Sequence, residues 1–441
     1  MESSFDIPLW TSVPFVMMLL CIAVAPLVAE KWWEQNKNKL IVSLLLSVPV
    51  IIYMIFNGLT VNLEQTVIHD YIPFIILLAA LFVITGGIHI SGDIRATPFN
   101  NTIYLTIGYV IASIMGTTGA AMLLIRPIIM TNKERKFKMH TILFFIAAVA
   151  NCGGLLTPLG DPPLFMLYLR GVHFTWFLNL LPEWTFTGLL LLIIYYFVDR
   201  YYYRKEKPEN ITRDNSLVKP IQIAGSKNFI FLTGVVLAVA FINKSVIPAM
   251  GKEDAPVILV FLREIVLLIL TLLSLFLTKK QVRYYNRFTW SPIIEVAYLF
   301  LGIFVTMAPA LIWLENNAGS FGLTHPWQFY FTSGGLSSFL DNTPTAVAFY
   351  DLAHGLVVSG LPASLSGLPM IAQIPEILLK AICTGAVFFG SMTYIGNGPN
   401  FMVKSIAEDN GIKMPGFFAY MYKFSLVVLL PIFILVQLLF I

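Results

Sequence analysis

Apolar blocks near the length that spans a bilayer recur along this chain, at 10–29, 40–56, 72–89, 185–198, 228–248, 257–277, 293–313 and 417–441. A helix of about 20 residues, rising 1.5 Å per residue, crosses roughly 30 Å of hydrocarbon. Composition agrees: 57% of the 441 residues are hydrophobic and 12% are charged, against about 25% charged in soluble domains. Such a chain has too few water-facing side chains to cover itself and takes a lipid bilayer as its solvent. The first block has a leader, Met1 to Pro8, with Glu2 and Asp6 and no basic residue. Its apolar run also exceeds a signal-peptide core, so it reads as a retained helix. Cys21, Cys152 and Cys383 sit in apolar sequence without CxxC spacing, which points to neither a disulfide framework nor a zinc site. The net charge of +4 implies no nucleic-acid partner, because the basic residues lie in short loops beside the spans, as topology places them.

Lys and Arg collect in loops 31–39, 133–138, 200–227 and 279–287, whereas loops 57–71, 172–184, 314–326 and 354–373 have none. The positive-inside rule puts the first set in the cytoplasm and the second outside, with both termini outside. Between two cytoplasmic loops, residues 103–115 are too few to cross; Gly116-Thr117-Thr118-Gly119 and a second short stretch, 120–130, follow. The expected solution is a re-entrant hairpin over about 98–130. A second is expected over about 327–356, with its tip at Asp341-Asn342-Thr343-Pro344. Non-helical backbone at membrane depth is tolerated only where protein or water satisfies it, so two such places imply an internal polar site.

Each hairpin precedes a span broken by Gly and Pro, residues that remove helix hydrogen bonds. The spans are 141–170 and 375–403. GLLTPLGDPPLFM (154–166) aligns without gaps on GSMTYIGNGPNFM (390–402), with an offset of 236, and the tips MGTTGAAM (115–122) and LDNTPTAV (340–347) align more weakly at an offset of 225. This internal duplication, with an odd number of crossings per unit, predicts the fold class: an all-α membrane protein of two inverted repeats, each with five transmembrane helices and one re-entrant hairpin. The repeats are 1–198 and 228–441, joined by a cytoplasmic linker at 199–227. Inverted repeats with broken helices meeting at the midplane are a transporter signature.

Asp341 and Asp161 lead the candidate site residues, because an intramembrane carboxylate is costly and functional by default. Asp161 precedes Pro162, a normal N-cap and first-turn pair, so capping competes with a ligand role there, and less so at Asp341. The surrounding donors are Thr117, Thr118, Asn151, Thr157, Asn342, Thr343, Thr345, Ser391, Thr393, Asn397 and Asn400. Oxygen ligands of this kind suit a hard cation, while half-helix N-termini suit an anion. Glu376 and Lys380 are spaced to pair on one helix. Arg126, Lys423 and Glu295 read as end residues that snorkel, and His89 and His140 as structural. There is no HExxH, GxSxG or GxxxxGK[ST] motif, which argues against an enzyme and against direct use of ATP.

LSSFLDNTPTAVAF (336–349), GGLLTPLGDPPLFM (153–166) and GSMTYIGNGPNFM (390–402) resemble motifs of the ion transporter superfamily, particularly NhaD-type sodium/proton antiporters and arsenite permeases. The resemblance implies a homodimer with a scaffold and a moving transport part. It implies cation ligands at Asp341, Asn342, Thr343 and Thr345, and at Asp161 and Thr157, with sodium on the two aspartates. Sodium/proton members carry Asp-Asn at the first tip where this chain has Gly116-Thr117-Thr118-Gly119, and citrate relatives carry Ser-Asn-Thr at both tips. The leading expectation is sodium or lithium exchange for protons, with no cofactor beyond those ions. The alternative is a cation-coupled transporter of a citrate-like carboxylate; an arsenite-type exporter and a passive channel rank lower. Short loops and the lack of a targeting peptide suit a prokaryotic plasma membrane.

Overall fold

The computed structural model describes residues 7–252 and 254–441; Glu2 and Asp6 of the leader lie outside them. In chain order the principal elements of the first half are α1 (Val13–Val28), α2 (Asn36–Phe56), α3 (Ile72–Thr85), β1 (His89–Asp93), α4 (Pro98–Met115), α5 (Thr117–Thr131), α6 (Met139–Ala148), α7 (Pro162–Leu169) and α8 (Leu181–Tyr203). Then come α9 (Pro208–Ser216), β2 (Lys219–Ala224), α10 (Lys227–Phe241), α11 (Leu262–Leu277), α12 (Ser291–Asn316), α13 (Pro326–Ser337), α14 (Asn342–Ser359), α15 (Glu376–Phe389), α16 (Gly398–Asp409) and α17 (Leu430–Phe440). Among the described residues, seven helical stretches are long and apolar enough to cross a membrane. The protein is therefore a helical, multi-spanning membrane protein with short β-ribbons at its edges.

Burial separates lipid-facing helices from the interior. Only 28% of the α2 span is buried, whereas 89% of Met139–Leu156, which contains α6 and the first break, is buried. The broken segments thus sit at the centre of the molecule, and uninterrupted apolar helices surround them. Where water is absent, a helix has to satisfy every backbone group within the protein, and that is feasible for a broken helix only in the interior. The apolar blocks at 228–248 and 257–277 contain helices shorter than a full span: α10 has 15 residues and α11 has 16. Pro248 and Pro256, which cannot donate backbone hydrogen bonds, occupy the stretch between them.

The basic loops meet on one face. β1 pairs antiparallel with β2. The Asn286 amide donates to the carbonyls of Gly86 and Ile88 at 2.9 and 2.5 Å. Lys39 pairs with Glu295 at 2.6 Å, so Glu295 is an ion-pair partner and not a solitary end residue. The segment at 199–227 is built in: Asp214 accepts from the backbone N–H of Ala96 at 3.0 Å, and Glu206 from that of Phe137 at 2.7 Å.

The expected Glu376–Lys380 pair does not form. Lys380 instead reaches Glu183 on α8 at 2.8 Å, and Glu376 accepts from the Trp176 indole at 2.7 Å. Spacing of four places two side chains on one face but does not exclude a better partner on a neighbouring helix, and the fully buried Glu183 carboxylate has the greater need of a counter-ion. Removing one partner of a buried pair costs about 3–5 kcal/mol. Lys380→Met is therefore expected to lower the thermal stability of the purified protein, and adding Glu183→Gln to restore most of it.

Candidate functional site

Four helices end and four begin where the sequence places its tips and breaks. α4 stops at Gly116, whose φ of +81° is left-handed and open to glycine without strain. α5 restarts at once with Thr117. The first broken span stops at Ala148, passes through a turn of 3-10 helix over Cys152–Leu156, and restarts as α7 behind Asp161 and Pro162. The second stops at Phe389 and restarts as α16 behind Asn397. The second tip restarts as α14 behind Asp341.

The two breaks are built alike, bond for bond. Thr157 Oγ1 donates to the carbonyl of Ser113 at 2.5 Å, and its counterpart Thr393 donates to the carbonyl of Ser338. Each threonine oxygen then accepts a backbone N–H two residues on, from Leu159 and Ile395 respectively. Thr157 and Thr393 therefore fasten the breaks to the ends of the tip helices α4 and α13. The carbonyls left bare by the breaks also find donors. Gly153 accepts from Ser113 Oγ and Trp184 Nε1, Gly160 from the Thr117 backbone N–H at 2.8 Å, and Gly390 from Asn400.

At the centre stands Asp161, 1% exposed. Its Oδ1 accepts from Thr117 Oγ1 at 2.8 Å and from Asn397 Nδ2 at 3.3 Å, and its Oδ2 accepts from Asn342 Nδ2 at 2.5 Å. Each donor opens a different half-helix: α5, α16 and α14. With α7, which Asp161 itself precedes, four helix N-termini meet at one carboxylate. Asn151 extends the cluster by donating to Asn400 Oδ1 at 2.7 Å and accepting from Asn397 Nδ2 at 3.2 Å. Two oxygens here lack any partner although their residues are buried: Asn342 Oδ1 and Thr343 Oγ1. A buried acceptor without a donor costs about 1–3 kcal/mol, and such an atom marks a place for a ligand.

The structure thus brings Asp161, Thr117, Asn342, Asn397, Asn151 and Asn400 together, with Thr343 beside them. The capping roles of the two aspartates are the reverse of the weighting from sequence. Asp161 makes no capping bond to its own helix, whereas Asp341 caps α14, its carboxylate accepting from the Thr343 N–H at 2.9 Å. Thr345 donates back to the Asp341 carbonyl, and Ser391 to that of Phe388. Thr118 lies apart from the cluster, on a cavity of about 80 Å³ between α5 and the Pro292 turn of α12.

Sequence reasoning missed one charged group at the far end of α7. Arg170, closing the first broken span, pairs with Asp351 on α14 and lies 3.9 Å from Asp70. An Asp ten residues into a helix that follows a tip was the available signal. A second buried network joins Asp199 to Arg135 at 2.5 Å and to His140 at 2.8 Å, which gives His140 a structural place.

Broken helices gathered round a buried polar hub, in a molecule whose outer helices expose apolar side chains, define a multi-spanning membrane protein. The chain belongs to the CitMHS_2 family, described as putative citrate transport, whose model matches residues 4–441. It is 25% identical over 283 residues to an uncharacterized transporter of Synechocystis sp., an alignment covering 61% of this chain and 61% of that protein. The family is one of transporters and not of enzymes.

Close packing of the breaks gives a sharp test. A Cβ at Gly160 would stand 2.0 Å from the Gly154 carbonyl oxygen, and one at Gly396 would stand 2.6 Å from that of Gly390. Gly160→Ala is expected to abolish transport and lower folded yield, and Gly396→Ala to do so less severely. Size-exclusion profiles and uptake measured side by side check both.

Proposed function

We propose that this protein carries a small carboxylate of the citrate class across the membrane, coupled to a cation bound at the same site. The observation that carries the reading is the meeting of four half-helix N-termini at Asp161. Each contributes roughly +0.5 elementary charge, so together they offset the two carboxylates of Asp161 and Asp341. The empty site is then close to neutral. A cation held by Asp161, Asn342 Oδ1 and Thr343 Oγ1 makes the site net positive, and an anion at the helix N-termini becomes favourable. Binding of the second ion depends on the first, which is what coupling requires.

Sodium or lithium exchange for protons is the second reading, favoured by the same Asp161 with its neutral oxygens and needing no anion. In both readings the two repeats, 1–198 and 228–441, are related by inversion, with α4–α5 and α13–α14 as re-entrant hairpins and 199–227 as linker. The matching Thr157 and Thr393 bonds support the duplication. A homodimer in a prokaryotic plasma membrane, moving its site past a scaffold, fits this arrangement.

Proteoliposomes loaded without substrate test the proposal. An inward sodium gradient is expected to drive accumulation of labelled citrate, and a pH dye inside separates this from exchange of sodium for protons without citrate. Asp161→Asn removes a charged acceptor worth about 1.5–3 kcal/mol, so apparent sodium affinity is expected to fall roughly 10- to 100-fold. Full sodium dependence in that variant would rule out Asp161 as a cation ligand.

A further inference from the structure

A large cavity lies away from the Asp161 cluster. It has a volume of about 650 Å³ and opens on the face where the basic loops meet, between the β1–β2 ribbon, the last turns of α5, the turn at Arg287 and the end of α16. That volume is in the range of small-molecule sites, about 300–1,000 Å³. Two guanidinium groups line it: Arg126 on α5, half-buried, and Arg287, which adopts a left-handed φ of +51°. Among the described residues neither has a carboxylate within ion-pair distance, although most other basic groups near buried positions have found one. They are close enough for Arg287 to repel Arg126. Two cations facing one cavity without an anion between them repel each other, and a ligand of opposite sign removes that cost.

The wall carries three cationic side chains, Arg126, Arg287 and Lys219, against two carboxylates, Asp93 and Asp409, so its balance stays positive. Asp93 stands opposite Lys219 in the β1–β2 ribbon, and Asp409 and Arg287 are both exposed. Polar groups that grip carboxylate oxygens are at hand in Ser91, His89 and Gln222.

The geometry points to this cavity as a second anion site, a port where a multivalent carboxylate is held by Arg126 and Arg287 on its way between the cytoplasm and the Asp161 cluster. Guanidinium groups match carboxylates with paired N–H donors, and α5 runs from the port directly to Thr117 at the cluster. The port rests on the proposed carboxylate transport for its purpose, but its binding of anions is measurable without transport.

Ser91 is exposed on the cavity wall, so Ser91→Cys in a Cys21→Ser background supplies a reporter thiol. Reaction of purified protein with a charged thiosulfonate is followed with citrate, or with acetate at the same sodium concentration. Citrate is expected to slow labelling several-fold and acetate not to. Protection should vanish in Arg126→Gln and in Arg287→Gln and persist in Arg126→Lys. Asp161→Asn should weaken the sodium dependence of uptake roughly 10- to 100-fold and keep the protection. No slowing by citrate, equal slowing by acetate, or protection that survives both Gln substitutions would overturn the port. Protection without any citrate uptake by the unsubstituted protein would retain the anion site and reject the proposed transport.

Discussion

Every feature of the interior follows from the need to interrupt helices where there is no water. A break exposes carbonyls and N–H groups that cost several kcal/mol if left bare in hydrocarbon. The protein answers with a fixed set of side-chain bonds: Thr157 and Thr393 to the opposing tips, Ser113 and Trp184 to Gly153, and Asn400 to Gly390. Once those bonds are made, four helix N-termini face one another, and their combined field needs a negative group. Asp161 supplies it and in doing so binds three of the four restarting helices.

Much of this was legible in the residues. A Gly/Pro-rich interruption in apolar sequence is readable because nothing else explains such residues at membrane depth, and the gapless match of 154–166 on 390–402 gave the duplication. Asp161, Thr117, Asn342 and Asn397 were therefore found as a group. The role of Asp341 was not readable. A carboxylate at a helix start either caps its own helix or turns away from it, and the choice depends on side-chain direction, which the sequence does not encode locally. The partner of Lys380 was hidden for a similar reason: periodicity describes neighbours on one helix, and Glu183 comes from another. Arg170 escaped notice because it sits at a span end, where cations usually snorkel.

The buried cluster combines helix N-termini with two side-chain oxygens that make no hydrogen bond, Asn342 Oδ1 and Thr343 Oγ1. From sequence, cation exchange was favoured by the two carboxylates, Asp341 and Asp161, in membrane-depth breaks and by the motifs at 336–349, 153–166 and 390–402. What three dimensions add is the single carboxylate, Asp161, on which the restarting helices converge.

The joint between the two halves has a further property. Asn151 meets Asn397 and Asn400 amide to amide, deep inside the protein and without formal charge. Mobile ions in the medium weaken contacts between exposed charges over a Debye length of about 8 Å at physiological salt, and the partly exposed Lys404–Glu408 pair is open to that effect. An uncharged amide joint is indifferent to it. The registry between the two broken segments thereby stays constant when the salinity of the surroundings changes.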